Sequence, residues 1–247
     1  MKKLLFLFTC TLFLLSSCSS DDDNKNGISL SEASTTLKST KTYQIKATSD
    51  TKITYAVENE YHAEVSESGL ITAGKIGETD IILTNGDDTK HFKVTVEPES
   101  KLFPEPNIEF GISKADLIKK LGTPAYETSD GIRYDNYSTN APQAVYLFDS
   151  NNKLKASSVM VKTTYSKELG TFLGERYVYA TSDEENYTLF FINALSLEKT
   201  TMAIGAALYN TQYWMTIYYP YSKSKTSAQL RSSQESSIKK AIDNLMQ

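Results

Sequence analysis

The spacing of apolar residues changes three times along this chain of 247 residues, and each change marks a different kind of element. Residues 4–15 form an almost unbroken apolar run. From Ile28 to Val96, short stretches alternate large apolar with polar positions, the period of a half-buried strand. Residues 43–47, 53–57, 81–83 and 92–96 are read as strands, parted by turns at Gly77-Glu78-Thr79 and at Asn85-Gly86-Asp87-Asp88. The last two runs form a hairpin, because Asn-Gly accepts the positive φ that tight turns demand. Beyond Pro106 the period becomes helical. Leu117, Ile118 and Leu121 share one face of a helix over residues 113–122, with Ser113 and Asp116 as an approximate capping box and Gly122 and Pro124 as its stop. Strands are then expected at 132–134, 144–148 and 156–161, with a turn at 149–153 joining the last two.

The same order of elements is then spoken again. Residues 166–174 echo residues 113–122 at a spacing of about 53. Residues 187–192 parallel the strand ending in Phe148, residues 197–204 parallel residues 154–161, and residues 213–219 add a further strand. The pattern predicts a multidomain chain: an all-β sandwich at 28–97, then an α+β domain of two helix-plus-antiparallel-sheet repeats at 108–164 and 165–221. It leaves open whether the repeats share one sheet. Between the domains, residues 98–107 hold Pro98, Pro104 and Pro106 and are expected to be an extended, stiff linker. After a polar stretch from Ser222 to Ser233, residues Ile238, Ala241, Ile242 and Leu245 form one apolar stripe on a terminal helix, expected to pack on the second domain.

The N-terminal run is read as an export signal rather than a span. It follows Lys2 and Lys3, is shorter than the roughly 20 residues a membrane helix needs, and ends in small residues and Cys18. Leu15-Ser16-Ser17-Cys18 resembles the lipobox of bacterial lipoproteins. That resemblance implies removal of residues 1–17, lipid on Cys18 and a membrane as partner through that lipid. Cys10 would leave with the signal, so no thiol would remain for a disulfide, a metal or a nucleophile. Losing Lys2 and Lys3 moves the formal charge from −4 to −6, which argues against nucleic acid as a partner. Residues 18–27 carry Asp21-Asp22-Asp23 and are read as a solvated tether. An acidic triplet just past a lipidated cysteine resembles the surface-export signal of some Gram-negative lipoproteins, which implies an outer-membrane protein displayed at the cell surface.

Two further resemblances rest on longer stretches. Ala63-Glu64-Val65-Ser66, Ser68-Gly69-Leu70-Ile71-Thr72-Ala73 and Ile76-Gly77-Glu78-Thr79-Asp80-Ile81 together resemble the group 2 bacterial immunoglobulin-like (Big) domains, with Tyr55 where many members carry tryptophan. This implies an Ig-like spacer or adhesive module. Residues 110–160 look like the small lipoproteins of the β-barrel assembly machinery, on Gly111-Ile112-Ser113-Lys114, Leu121-Gly122-Thr123-Pro124, Tyr146-Leu147-Phe148-Asp149 and Asn152-Lys153-Leu154. The tandem form is similar to β-lactamase inhibitor proteins. Both families bind other proteins, so the likeness implies recognition.

Few residues on the chain invite chemistry. His62 and His91 are the only histidines; Glu60 and Glu64 lie near the first, but neither has a recognised ligand spacing, so no metal or cofactor is expected. Past residue 107 there is neither histidine nor cysteine, and Asp183-Glu184-Glu185 reads as a solvated corner. No phosphate loop or nucleophile elbow is present, so no catalytic residue is assigned and a non-enzymatic reading leads, a hydrolase being the least favoured alternative. Aromatic residues crowd 209–221. On a strand, Tyr213, Met215, Ile217 and Tyr219 share one face, and Trp214, Thr216 and Tyr218 the other. One face is core; the other, drawn from Trp214, Tyr218, Tyr213 and Tyr219, is the candidate surface for a protein or glycan. The function expected is a lipid-anchored envelope protein that presents this module. The alternative is a periplasm-facing assembly or inhibitor protein.

Overall fold

A computed structural model describes residues 27–221 and 234–246, with side chains of the last helix from Ile238 onward. The expected export signal, Cys18, the expected tether up to Asn26, residues 222–233 and Gln247 lie outside the described residues.

The first unit is an Ig-like sandwich of nine short strands: β1 (Ser29–Leu30), β2 (Ser34–Lys38), β3 (Thr42–Gln44), β4 (Ala47–Thr48), β5 (Thr54–Val57), β6 (Ala63–Val65), β7 (Leu70–Ala73), β8 (Gly77–Thr84) and β9 (Thr89–Glu97). One sheet has the order β2-β9-β8-β5 and the facing one β3-β7-β6, with β1 and β4 as a short extra pair. Strict alternation on β8 and β9 sends Ile81, Leu83, Phe92, Val94 and Val96 inward, where they meet Ile45, Ala63, Ile71 and Ala73. Two details depart from a purely antiparallel reading. β2 runs parallel to β9. The run at 43–47 is two strands in different sheets, because the chain crosses the sandwich at the buried Ile45. The β8–β9 hairpin closes through Asn85, whose Oδ1 accepts from the backbone N–H groups of Asp87 and Asp88.

The second unit is built on one continuous sheet of eight strands. Helix α1 (Lys114–Leu121) precedes β10 (Tyr126–Glu127), β11 (Gly131–Asp135), β12 (Gln143–Phe148) and β13 (Leu154–Lys162). Helix α2 (Ser166–Gly174) precedes β14 (Val178–Asp183), β15 (Thr188–Ile192), β16 (Met202–Leu208) and β17 (Tyr213–Pro220). The strand order β10-β11-β12-β13-β17-β16-β15-β14 is a meander and its mirror-ordered copy, joined where β13 and β17 pair antiparallel. α1 starts as its capping residues require, with Ser113 Oγ accepting from Asp116 N at 3.1 Å and Gly122 at φ 89° ending it.

The internal correspondence is offset by one strand from the sequence reading. β15 answers β11, β16 answers β12 and β17 answers β13, because β14 opens the second half as β10 opens the first. β14 was hidden in a stretch with little apolar contrast, and Leu197–Lys199 form a tight 3-10 turn where a strand start was expected.

Both faces of this sheet are covered, so its central strands are apolar on both sides. On β12, Ala144, Tyr146 and Phe148 point to a core shared with Leu117, Leu169, Phe172 and Leu173 of α1 and α2. Val145 and Leu147 point to the other core, with Met215, Ile217 and Tyr219 and with Ile238, Ile242 and Leu245 of α3 (Gln234–Met246). α3 lies close because β11 begins with glycine: a Cβ on Gly131 would come within 2.3 Å of Leu245 Cδ1. Arg133 Nη1 donates to the Leu245 carbonyl, placing a cation at the helix C-terminus, where the backbone dipole favours it.

The proline-rich segment is not a free linker. Leu102 and Phe103 are buried in the helix-side core, and the Phe103 ring lies 4.2 Å from that of Phe172. The segment bends at Leu102 and Phe103 rather than running straight, and Asn140 Nδ2 donates to the Leu102 carbonyl at 3.4 Å. Phe103→Ala is expected to lower stability by about 3–4 kcal/mol, as a filled core site becomes a cavity. Chemical denaturation of the variant against the parent chain measures it.

Candidate functional site

The two units meet at the C-terminal end of α2. There the chain turns through Glu175 and Arg176, and Glu175 is buried despite its charge. Its carboxylate accepts from Glu99 N at 2.7 Å and Ser100 N at 3.1 Å, and from Arg176 Nη1. The guanidinium of Arg176 also donates to Phe172 O at 3.1 Å and lies 3.7 Å from the Phe172 ring centroid. A buried carboxylate is tolerable only when paired and hydrogen-bonded, and these contacts supply both conditions.

The Ig-like unit grips the same corner. Ile76 N donates to Glu175 O at 2.8 Å, and Tyr61 Oη donates to Arg176 O at 2.6 Å. Lys75 Nζ donates to Gly174 O, setting a cation against the carbonyl end of α2. Partial burial at this contact lowers the Lys75 pKa. His62 completes the corner from behind. Its Nδ1 lies 3.1 Å from Lys75 O, and its ring fills the space over Gly77, where a Cβ would come within 2.3 Å of His62 Cε1. His62 is thus a packed, hydrogen-bonded residue of the joint.

Below the joint, tyrosines gather round the proline-rich segment. Tyr177 Oη donates to Glu105, Tyr137 Oη donates to Pro104 O at 2.7 Å, and Tyr146 Oη accepts from Asn107 N at 3.4 Å. Burial raises the Tyr146 hydroxyl to about 12, and it also raises Tyr61, Tyr137, Tyr177 and Tyr218.

Beside the joint lies a cleft of about 600 Å³ between the units. Residues 57–62 form one wall, and Asn193, Ala194, Leu195 and Lys199 the other. Asn193 is committed to the fold, its Oδ1 accepting from Thr201 N and Met202 N. Leu195 is half exposed at 50%, and Glu58 and Glu60 face the cleft from the Ig-like side as exposed acids. The arrangement offers an apolar contact with two acids across the cleft and Lys199 on its own side.

The aromatic face expected on 213–219 does not form an open surface. Tyr218 is fully buried in the core under α1 and α2, and Tyr219 lies in the core under α3. Trp214 is half-buried with its Nε1 donating to Ser166 Oγ at 2.8 Å, and Tyr213 packs half-buried against the α3 side. The alternation on the strand was read correctly, but β17 is a central strand, so both of its faces are covered. Asp183-Glu184-Glu185 sits at the end of the edge strand β14, with Asp183 Oδ1 accepting from Asn186 N.

One cluster was not found by sequence reasoning. Glu58, Asp80 and His91, just past β5, on β8 and on β9, bring one ligand atom each to within 4.8 Å of one another. Their separation in sequence is wide, and only strand register unites them.

Residues 26–96 match the bacterial Ig-like domain (group 2), so the first unit of this chain is a domain of that kind. No curated protein matches the chain. Among solved structures, the chain is similar to domains 4–9 of the surface layer protein SbsC at 13% identity and a TM-score of 0.25, covering 80% of this chain and 27% of that one. It is also similar to the EC1-2 domains of human protocadherin-24 at 12% identity and a TM-score of 0.25, covering 78% and 94%.

Glu175→Ala is expected to cost about 3 kcal/mol, since it takes the charged partner from the Arg176 guanidinium and the acceptor from two backbone N–H groups. Calorimetry should show the Ig-like unit and the sheet unit melting apart where the parent chain melts once. Alkali tests the tyrosines. Below about pH 10 the phenols are protonated in folded and unfolded chains alike. Between about pH 10 and 12 the unfolded chain loses the proton that folded Tyr146 keeps, so that group alone should lower stability by up to about 1.4 kcal/mol per pH unit, and Tyr61, Tyr137, Tyr177 and Tyr218, raised in the same direction, steepen the fall. Urea midpoints across pH 8 to 12 read that slope.

Proposed function

We propose that this chain is a lipid-anchored envelope protein, held through Cys18 and displayed at the cell surface, whose Ig-like domain and α+β unit act as one rigid body that binds a protein ligand in the cleft between them. The observation that carries the reading is the cleft itself: exposed Leu195 opposite Glu58 and Glu60, braced by the hydrogen bonds of Tyr61, Lys75 and Ile76 to the end of α2. An apolar anchor that faces two acids across the cleft, with Lys199 on its own wall, favours a segment that carries an apolar side chain with lysine or arginine on the side toward Glu58 and Glu60. The fixed joint supports a binder over a flexible spacer, because a cleft whose walls are already positioned loses less entropy on closing over its ligand.

The anchoring part of the reading rests on Leu15-Ser16-Ser17-Cys18, and the surface part on Asp21-Asp22-Asp23. Palmitate should label the chain and fail to label Cys18→Ala, and protease added to intact cells should remove the protein. Survival of the protein under that protease would favour the periplasm-facing assembly or inhibitor role.

Peptide and glycan arrays probed with the full chain should give hits among basic-apolar peptides. Leu195→Asp and Glu60→Lys should each weaken those hits roughly tenfold or more, with unchanged thermal unfolding. Hits that both variants retain at full strength, or hits confined to glycans, would overturn the protein-ligand reading.

A further inference from the structure

We propose that Glu58, Asp80 and His91 form a binding site for a divalent cation of the zinc class on the outer face of the Ig-like sheet. The register of three neighbouring strands builds it. Glu58 N donates to Asp80 O at 3.0 Å, which continues the β5–β8 ladder and sets the two carboxylates side by side. On β9, His91 pairs with Ile82 and Lys93 with Asp80, so the imidazole lies diagonally across from Asp80 on the same face. Inward-pointing Ile81, Phe92 and Val94 fix that face, since each is fully buried on the opposite side of its strand.

The donor geometry suits a small tetrahedral ion. Donors about 2.0–2.1 Å from such an ion stand about 3.3 Å from one another. His91 Nδ1 and Asp80 Oδ2 are 3.3 Å apart, and all three ligand atoms fall within 4.8 Å. Glu58 is exposed, so its side chain is free of packing that would hold it at the wider spacing. The set is one imidazole nitrogen and two carboxylate oxygens. A nitrogen donor selects zinc and its neighbours over calcium or magnesium, which take oxygen alone. Two carboxylates balance the charge of the ion. Lys93, across the ladder from Asp80 on this face, has its Nζ on Glu78 Oε2 at 2.8 Å, so its ammonium is directed toward Glu78.

Three protein donors leave at least one position for water or for a donor from another molecule. The site shares Glu58 with the cleft, yet it stands on strand register alone and does not need the cleft to bind anything.

The test uses the full chain with Cys10→Ser and Cys18→Ser, so that no thiol competes, and zinc chloride as the probe in isothermal titration. One saturable site is expected. Glu58→Gln, Asp80→Asn and His91→Ala should each weaken it roughly tenfold or more, whereas Glu64→Gln, an exposed acid on β6 of the facing sheet, should change it by less than about twofold. Nitrogen-detected imidazole spectra give a second readout that needs no variant, because the chain has two histidines: zinc should shift His91 and leave His62 in place. Absence of a saturable site would overturn the proposal, and so would equal weakening by Glu64→Gln or a shift at His62 instead of His91. Calcium binding as tight as zinc binding and indifferent to His91→Ala would overturn the zinc class.

Discussion

A buried carboxylate at the end of a helix holds this molecule in one piece. Glu175 has left water, and what makes that tolerable is a set of partners drawn from different parts of the chain: backbone N–H groups of Glu99 and Ser100, and the guanidinium next to it. Each partner serves the joint because Glu175 needs it. The proline-rich segment is thereby tied to α2, and the Ig-like unit is tied to the same turn through Ile76, Tyr61 and Lys75. The cleft beside the joint exists at a set width for this reason. Charge burial is costly unless satisfied, so these contacts support one another, and they tie the end of α2 to both the proline-rich segment and the Ig-like unit.

The same economy explains the eight-stranded sheet. Two meanders, each led by a helix, would leave exposed edges at β13 and β17; pairing those strands removes both edges at once and creates a sheet wide enough to need cover on two faces. α1 and α2 cover part of one face and leave a gap between them, which Leu102 and Phe103 fill. α3 covers part of the other. A segment that looks like a spacer is therefore a piece of the core, and an aromatic strand that looks like a display surface is the middle of a layered domain.

Much of the local structure was legible because it depends on neighbours in sequence. The cap of α1 at Ser113 and Asp116, the stop at Gly122, the hairpin turn after Thr84 and the strands at 131–135, 143–148 and 154–162 all follow from period and turn chemistry within a few residues. β14 was missed because an edge strand of small and polar residues carries little apolar contrast, and with it the correspondence of the two halves slipped by one strand. Trp214, Tyr218, Tyr213 and Tyr219 were sorted onto their two faces but not into burial, since alternation cannot tell an exposed face from one that a distant helix covers.

What the sequence determined by itself is therefore whatever is short-range: the strand and helix periods, the Ig-like signature of glycines and strands, and the absence of histidine and cysteine past residue 107. What only the tertiary structure decided is which of those pieces touch. Glu58, Asp80 and His91 meet through the register of β5, β8 and β9, and Tyr61 reaches Arg176 across 115 residues. The period of a strand specifies which side a residue faces. The partner on that side depends on strand pairing and on how layers stack, and these are set by the burial of the whole chain together.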